Sequence, residues 1–315
     1  MFFLKHRKKT EHMEQKQTET EKLRSVAESG DAVAQFRLGM RYYKGMEIEQ
    51  DYEQAANWFQ TSAEQENSQA QFYLGRCYAK GLGVAKDYTR AVFWYEKAAE
   101  LNHPSALNNL ALMYQQGHGV SQDYEKAFRL LSKAAELDDL CAQDNLGICY
   151  ENGLGVQQDR LKAVKWYRNA AEQGFERAQF NLGYCYDKGI GVKQDRTEAA
   201  RWYRKAIEQN YAPAMANLAY LHYYGFGVEE SDEEAFRLWK AAAEAGEINA
   251  LENLGFCYED GVGVEKNLEE AEKWYERARE ERRKRAKADP RRTPDQIAAE
   301  EALSNLRRIL RKSWD

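Results

Sequence analysis

Apolar residues recur along this chain at the i, i+4 and i+8 positions of a helix, and the pattern returns every 36 residues. The middle position is a leucine followed by glycine or alanine, at Leu38, Leu74, Leu110, Leu146, Leu182, Leu218 and Leu254. An alanine stands four residues before each leucine, and an aromatic residue stands four residues after it except at His222. One stripe of this kind predicts an amphipathic helix in every repeat. A period of about 20 to 50 residues predicts that neighbouring repeats stack to bury these faces.

A second helix is predicted after each of these helices. Glycine stands seven residues after every leucine, where a left-handed helix C-terminus favours it. The expected N-caps of the second helices are Asp51, Asp87, Asp123, Asp159, Asp195, Ser231 and Asn267. Each second helix carries an alanine and then two bulky residues, such as Trp94 and Tyr95. Small residues that alternate with large ones at a fixed register predict two helices that interdigitate.

The complete pattern resembles the Sel1-like repeat, a relative of the tetratricopeptide repeat. Seven copies span roughly Asp31 to Arg279, and the copies that begin at Ala70 and Ala142 are almost unbroken. The resemblance implies an all-α fold, a right-handed α-solenoid of about seven 36-residue antiparallel helix pairs. It also implies a scaffold or adaptor. Local departures are expected to change packing only, at Glu47 in a loop, at Leu130 and Leu131, and at Leu238 and Trp239.

Three segments are predicted along the chain. Residues 1–30 form a polar N-terminal segment and a capping helix, residues 31–279 form the seven repeats, and residues 280–315 form a basic linker and an amphipathic C-terminal helix. That last helix is expected to begin at Thr293, because Pro294 and Gln296 follow with the spacing of a helix start. Its apolar side either docks on the last repeat or engages a partner or a second copy of the chain.

Charge is distributed unevenly. The chain has 46 Lys and Arg against 51 Asp and Glu, but from Arg282 onward there are 11 basic and 5 acidic residues. The repeats are therefore acidic, which argues against nucleic acid as a partner, because phosphate binding needs clustered cations. The basic run from Arg282 to Arg285 is either a solvated continuation of a helix or a contact for a membrane surface, nucleic acid or an acidic partner.

Four of the five cysteines share one repeat position, at Cys77, Cys149, Cys185 and Cys257. Equivalent positions on stacked helices lie about 8 to 10 Å apart, which is too far for a disulfide. These cysteines are expected to be small core residues in a reducing, cytoplasmic compartment; the alternative is an exported bacterial protein whose signal is not present in this sequence. No transmembrane segment is expected, since no apolar run approaches the ~18 to 20 residues of a membrane span.

Motifs of catalysis and of cofactor or metal binding do not occur in the sequence. The Gly-x-Gly loops lack the preceding strand and third glycine of a dinucleotide site, and there is no His-Glu-x-x-His and no Ser-x-x-Lys. The five histidines show no ligand spacing. We therefore predict a protein that is not an enzyme and that has no cofactor, no metal site and no catalytic residue. An enzyme of unrecognised type is the least favoured alternative.

A peptide-binding groove is predicted on the concave face that the first helices form. Positions one before, two after and six after the leucine point away from the core of their own helix pair. The candidate residues are Asn109, Asn145, Asn181, Asn217, Asn253, Leu112, Ile148, Tyr184, Tyr220, Tyr224 and Phe256. An asparagine ladder can bind an extended peptide backbone, while apolar neighbours anchor its side chains, and Asn181 and Asn217 are expected to point into solvent. The binding hot spot is expected in the C-terminal half.

Two alternatives to this groove remain at this point. The asparagines can instead pack between neighbouring first helices, where they would satisfy polar groups of the adjacent repeat. The chain can also be a structural module that assembles with itself through the basic C-terminal helix. If the groove binds a ligand, the expected partner is a protein or peptide. If the chain assembles with itself, the partner is a second copy of the chain.

Overall fold

The computed structural model describes residues 19–288, and every regular element in that range is a helix. These are α1 (19–28), α2 (Ala32–Lys44), α3 (Tyr52–Ala63), α4 (Ser68–Lys80), α5 (Tyr88–Glu100), α6 (Pro104–Gln116), α7 (Tyr124–Glu136), α8 (Leu140–Asn152), α9 (Arg160–Glu172), α10 (Glu176–Lys188), α11 (Arg196–Ile207), α12 (Ala212–Tyr223), α13 (Asp232–Glu244), α14 (Ile248–Asp260) and α15 (Leu268–Ala288). The predicted all-α fold of paired helices is confirmed. Across the described residues, no helix combines the length and the apolar character that a bilayer span requires.

The predicted helix boundaries follow from specific hydrogen bonds. Each of the seven expected second-helix N-caps accepts a bond from a backbone N–H in the first helical turn. The same N-cap residues donate their own N–H to the carbonyl of the stripe residue, as Asp87 does to Tyr78 at 2.9 Å. First helices other than α12 end on a left-handed glycine such as Gly81, which has φ of 72°, and α12 is followed by the left-handed Gly225 after Tyr224. The connecting loop is therefore fixed at both ends by backbone geometry.

The chain divides into two compact units, of which the first extends to Ala170. In this unit α2 packs on α3, α4 on α5 and α6 on α7, and further contacts join α3 to α4, α5 to α6 and α7 to α8. The stripe leucines are buried, with Leu38 and Leu74 at 0% exposure. At the N-terminal end, α1 places Ala27 against Ala34 and Leu38. Residues 6–17, which the sequence suggests are too polar to fold alone, lie outside the described residues.

The second unit begins at Ala171 and repeats this arrangement. Here α10 packs on α11, α12 on α13 and α14 on α15, with further contacts from α11 to α12 and from α13 to α14. The basic run is part of α15, since Arg282 pairs with Glu252 and Arg285 donates to the carbonyl of Gly246. The run therefore continues a helix, which was one of its two predicted roles. The C-terminal helix predicted from Thr293 lies outside the described residues.

The second loop glycine is required by the repeat that precedes it. A Cβ on Gly83 would lie 2.0 Å from the carbonyl oxygen of Tyr52, and similar clashes occur at Gly119, Gly155, Gly227 and Gly263. The first repeat has Glu47 at this position, with φ of 65°. Its carboxylate pairs with Arg41 at 2.6 Å. The position that would oppose Glu47, residue 16, lies outside the described range.

The cysteines at the shared repeat position are buried, as predicted for core residues. Burial raises the pKa of the Cys77 thiol to about 12 and that of Cys149 to about 11. Cys141 is exposed, and none of the five forms a disulfide. Thiolate chemistry at neutral pH is therefore suppressed at Cys77 and Cys149.

Candidate functional site

A pocket of about 250 Å³ lies among the first helices of the second unit. Three successive first helices contribute to it, α10, α12 and α14. Its wall includes Phe180, Tyr184, Asn217, Tyr220, Glu247 and Asn253. Four of these six are among the residues predicted from the sequence, so the 36-residue register brings predicted candidates together.

Aromatic rings form the apolar part of this pocket. Tyr184 is 38% exposed and Tyr220 is 42% exposed, although both are large aromatic side chains. Phe180 stacks on Tyr184 with 6.4 Å between ring centroids, and Tyr220 lies 4.6 Å from Tyr224. Each exposed ring is thus supported by a second ring. Rings held in this way offer contact area at a low cost in conformational entropy.

A buried carboxylate organises the cations beside the rings. Asp187 is 3% exposed and accepts from Lys188 Nζ at 2.6 Å and from Arg196 Nε at 3.3 Å. The Lys188 ammonium also lies 5.9 Å from the Tyr184 ring centroid and 5.7 Å from that of Tyr220. On the opposite wall, Glu247 caps α14 by accepting from the N–H of Asn249 at 3.3 Å. The pocket therefore combines exposed ring faces with one cation, Lys188, and two carboxylates, of which Asp187 is buried.

In the first unit the predicted asparagines connect neighbouring repeats. Asn109 donates to the hydroxyl of Tyr95 at 3.3 Å, and Asn145 donates to the side-chain oxygen of Asn108 at 2.7 Å. Asn145 is only 8% exposed. Asn145 thus fits the alternative in which the asparagines pack between neighbouring first helices, because the approach of α8 to α6 leaves its amide to satisfy a buried partner.

In the second unit the asparagines are half-buried rather than exposed. Asn217 donates to the hydroxyl of Tyr203 at 3.1 Å and also lines the pocket, as Asn253 does. Burial raises the pKa of Tyr203 above its usual range, so its hydroxyl stays protonated. Asn181 is likewise half-buried. Asn217 shows that one side chain can join two repeats and still border the pocket.

The predicted apolar anchors differ in how far they reach the surface. Leu112 and Ile148, in the first unit, are half-buried. Phe256 is half-buried as well and packs edge to face on Tyr223 at 5.7 Å. The tyrosines at the predicted positions are the exposed members, Tyr184, Tyr220 and Tyr224.

Sequence reasoning missed a glutamine ladder that joins the repeats. Gln35, Gln71, Gln143 and Gln179 are buried, and each donates Nε2 to the carbonyl of the alanine eight residues earlier, at 3.1 to 3.4 Å. That alanine lies in the last turn of the second helix of the preceding repeat or, for Gln35, in the last turn of α1. The signal was present, because glutamine recurs three residues before the leucine at multiples of 36 residues. Only the structure shows that these side chains are buried.

Among residues 19–288, no group of three or more His, Cys, Asp and Glu is placed to hold a metal ion. The chemistry visible at the pocket is that of aromatic contact, amide hydrogen bonding and ion pairing.

Comparison with known proteins identifies the repeat. The family model of the Sel1 repeat matches seven segments, 32–67, 68–103, 104–139, 142–175, 176–211, 212–247 and 248–281. These segments cover most of the chain and keep the 36-residue register of the helix pairs.

Solved structures and one curated protein extend the comparison. A protective antigen of uropathogenic Escherichia coli with an SLR fold superposes with a TM-score of 0.71 at 34% identity, over 91% of this chain and 64% of the antigen. A Sel1 repeat protein from Oxalobacter formigenes gives 0.71 at 36% identity, over 78% of this chain and 96% of that protein. The secretory immunoglobulin A-binding protein EsiB of Escherichia coli O6:H1 is 50% identical over 40 residues, 13% of this chain and 8% of EsiB. The chain thus spans less than two thirds of the antigen and a small part of EsiB.

Proposed function

The chain belongs to the Sel1 repeat family, whose solenoids generally act as protein-interaction scaffolds, and from this premise we propose that it is a non-enzymatic adaptor. Its binding surface lies on the first helices of the second unit and takes an extended segment of a partner protein. This proposal retains the C-terminal half of the predicted groove. The first-unit asparagines are assigned to packing between repeats.

The observation that carries the proposal is the pair of exposed tyrosines on successive first helices. Tyr184 and Tyr220 are more exposed than Phe256, the third aromatic residue at the same repeat position, and they border one pocket. Tyrosine is enriched among the residues that dominate binding energy at protein interfaces. Asn217 and Asn253 place amides beside the rings, which suits hydrogen bonding to a peptide backbone.

The relatives support the class of function and not a particular ligand. EsiB is named for binding secretory immunoglobulin A, so a protein that shares this repeat can take a protein ligand. Because the match covers 40 residues of EsiB, its ligand is not transferred to this chain. The cytoplasmic location also stays a proposal, as does assembly through the C-terminal helix.

Affinity capture with a matched variant tests the proposal. Wild type and Tyr184→Leu/Tyr220→Leu are each immobilised, and cross-linked partners from the same lysate are compared by quantitative mass spectrometry. The double variant should lose the main partners of the wild type by at least about tenfold, since two anchoring rings are removed.

The control is Tyr124→Leu, which removes a tyrosine of similar exposure, 39%, from the first unit. This variant should capture the same partners as the wild type. Circular dichroism should show equal helicity in all three proteins. Equal capture by the double variant at full helicity would refute the assignment of the binding surface.

A further inference from the structure

We infer that the pocket of the second unit selects a cationic side chain, an arginine or a lysine next to an apolar residue in the partner's extended segment. This inference rests on the proposed function and adds the chemistry of the partner. It follows from what already lies against the two tyrosine rings and from the charge of the surrounding repeats.

A cation is already present at these rings. The Lys188 ammonium lies within 6 Å of the centroids of both Tyr184 and Tyr220, at 5.9 and 5.7 Å. The face of an aromatic ring attracts cations because its quadrupole is negative there. The chain's own lysine thus shows that the space before the two rings accommodates a positive group.

The charge of the surrounding repeats favours the same choice. Residues 171–281 contain 13 Lys and Arg against 23 Asp and Glu, a net charge of −10. The basic run at the end of α15 offsets part of this charge. An acidic surface of this size attracts cationic segments and repels anionic ones before contact is made.

The groups at the pocket itself are close to balanced. Lys188 and Arg196 both pair with the buried Asp187, and Glu247 lies on the opposite wall with a carboxylate that can meet an incoming guanidinium. A guanidinium is also flat, weakly hydrated and suited to stacking on a tyrosine ring. When it enters, Lys188 keeps its ion pair with Asp187 and leaves the ring faces to the ligand.

Three labelled synthetic peptides test this selection by fluorescence anisotropy. They have the same length of about ten residues and the same leucine, and differ only in whether arginine, glutamine or glutamate flanks it. At ionic strength near 0.15 M, where charges beyond about 8 Å are screened, the arginine peptide should bind most tightly and the glutamate peptide least.

Variants then assign the preference to the pocket. Lys188→Gln removes the internal cation and should tighten arginine-peptide binding by about fourfold, the effect of one like charge at ~5 Å in water. Tyr184→Leu/Tyr220→Leu should weaken it by about tenfold. Lys80→Gln is the matched control, because Lys80 holds the same repeat position in the first unit and should leave the affinity unchanged.

The outcomes separate this inference from the function on which it rests. Tightest binding of the glutamate peptide, abolished by Lys188→Gln, would overturn the inference in favour of a carboxylate site. An arginine preference that survives the double tyrosine change would overturn the inference in favour of diffuse attraction by the acidic surface. Failure of all three peptides to bind would also overturn it. In each of these cases the capture experiment still decides independently whether the surface binds a protein.

Discussion

The contact between a first-helix glycine and a second-helix ring allows a sharp test of the packing. Replacing Gly75 by alanine would place a Cβ 2.7 Å from both Cδ1 and Cε1 of Tyr95 and 3.3 Å from the carbonyl oxygen of Ala91. Carbon atoms normally approach to about 3.5 to 4.0 Å, so the overlap with the ring is about 1 Å. Tyr95 is 2% exposed and has little room to move.

The expected magnitude is the difference between two known effects. Alanine is favoured over glycine inside a helix by about 1 kcal/mol. Overpacking a core typically costs about 1 to 3 kcal/mol, and a ring fixed against backbone lies in the upper part of that range. Gly75→Ala should therefore destabilise the protein by about 1 to 2 kcal/mol, although alanine is the better helix former.

The chain itself suggests how to relieve the clash. The two repeats with alanine at this position, Ala111 and Ala219, are those whose ring position holds Leu131 and Trp239 rather than phenylalanine or tyrosine. In a Tyr95→Leu background the alanine should thus become neutral or stabilising, which gives a coupling energy of about 1 to 3 kcal/mol.

Urea unfolding followed by far-UV circular dichroism measures all four proteins of this cycle. Ala111→Gly is the control and should cost about 1 kcal/mol. Gly75→Ala and Ala111→Gly are opposite changes at equivalent repeat positions, and both are expected to destabilise the protein. A Gly75→Ala variant that is more stable than wild type, or a coupling energy near zero, would refute the argument that the ring requires glycine.

Three further predictions concern single side chains. Nδ1 of His103 accepts from the N–H of Ala106 and caps α6, and burial lowers the pKa of this histidine. As the pH drops below about 6.5, the unfolded chain takes up a proton before the folded one does. The free energy of unfolding should therefore fall until the pH passes the lowered pKa of the folded state. His103→Asn should flatten the melting temperature between pH 7.5 and 5, and an unchanged slope would contradict this. A thiol reagent should label Cys141 rapidly and should label Cys77 and Cys149 only on unfolding. Rapid labelling of the folded Cys141→Ser variant, in which only the other cysteines can react, would contradict this prediction. Gln71→Leu should cost about 0.5 to 1.5 kcal/mol in urea unfolding, because the carbonyl of Ala63 keeps the N–H of Glu66 but loses the second of its two donors. No loss of stability would show that the glutamine ladder is dispensable.

The candidate site was only partly readable from the sequence. Helical register identified Tyr184 and Tyr220, because side chains 36 residues apart in a stacked repeat share one face. It did not separate them from Phe256, which is half-buried against Tyr223, since exposure depends on what the next helix places opposite. Lys188 and Asp187 were missed for the same reason: their role comes from contacts with Arg196 and with rings of two helices.

What the sequence by itself determined is the set of local features. The starts of the second helices, the left-handed glycines after the first helices and the stripe leucines each recur seven times in the sequence, and the first two depend on neighbours within a few residues. What only the tertiary structure decided is how polar side chains are shared between repeats. Asn145 and Gln143 are both amides at helical positions before Leu146, and both are buried, yet one bonds to a side chain of the previous first helix and the other to a backbone carbonyl. Which partner a buried amide finds depends on the approach of a helix from another repeat, and that geometry is set by packing rather than by local propensity.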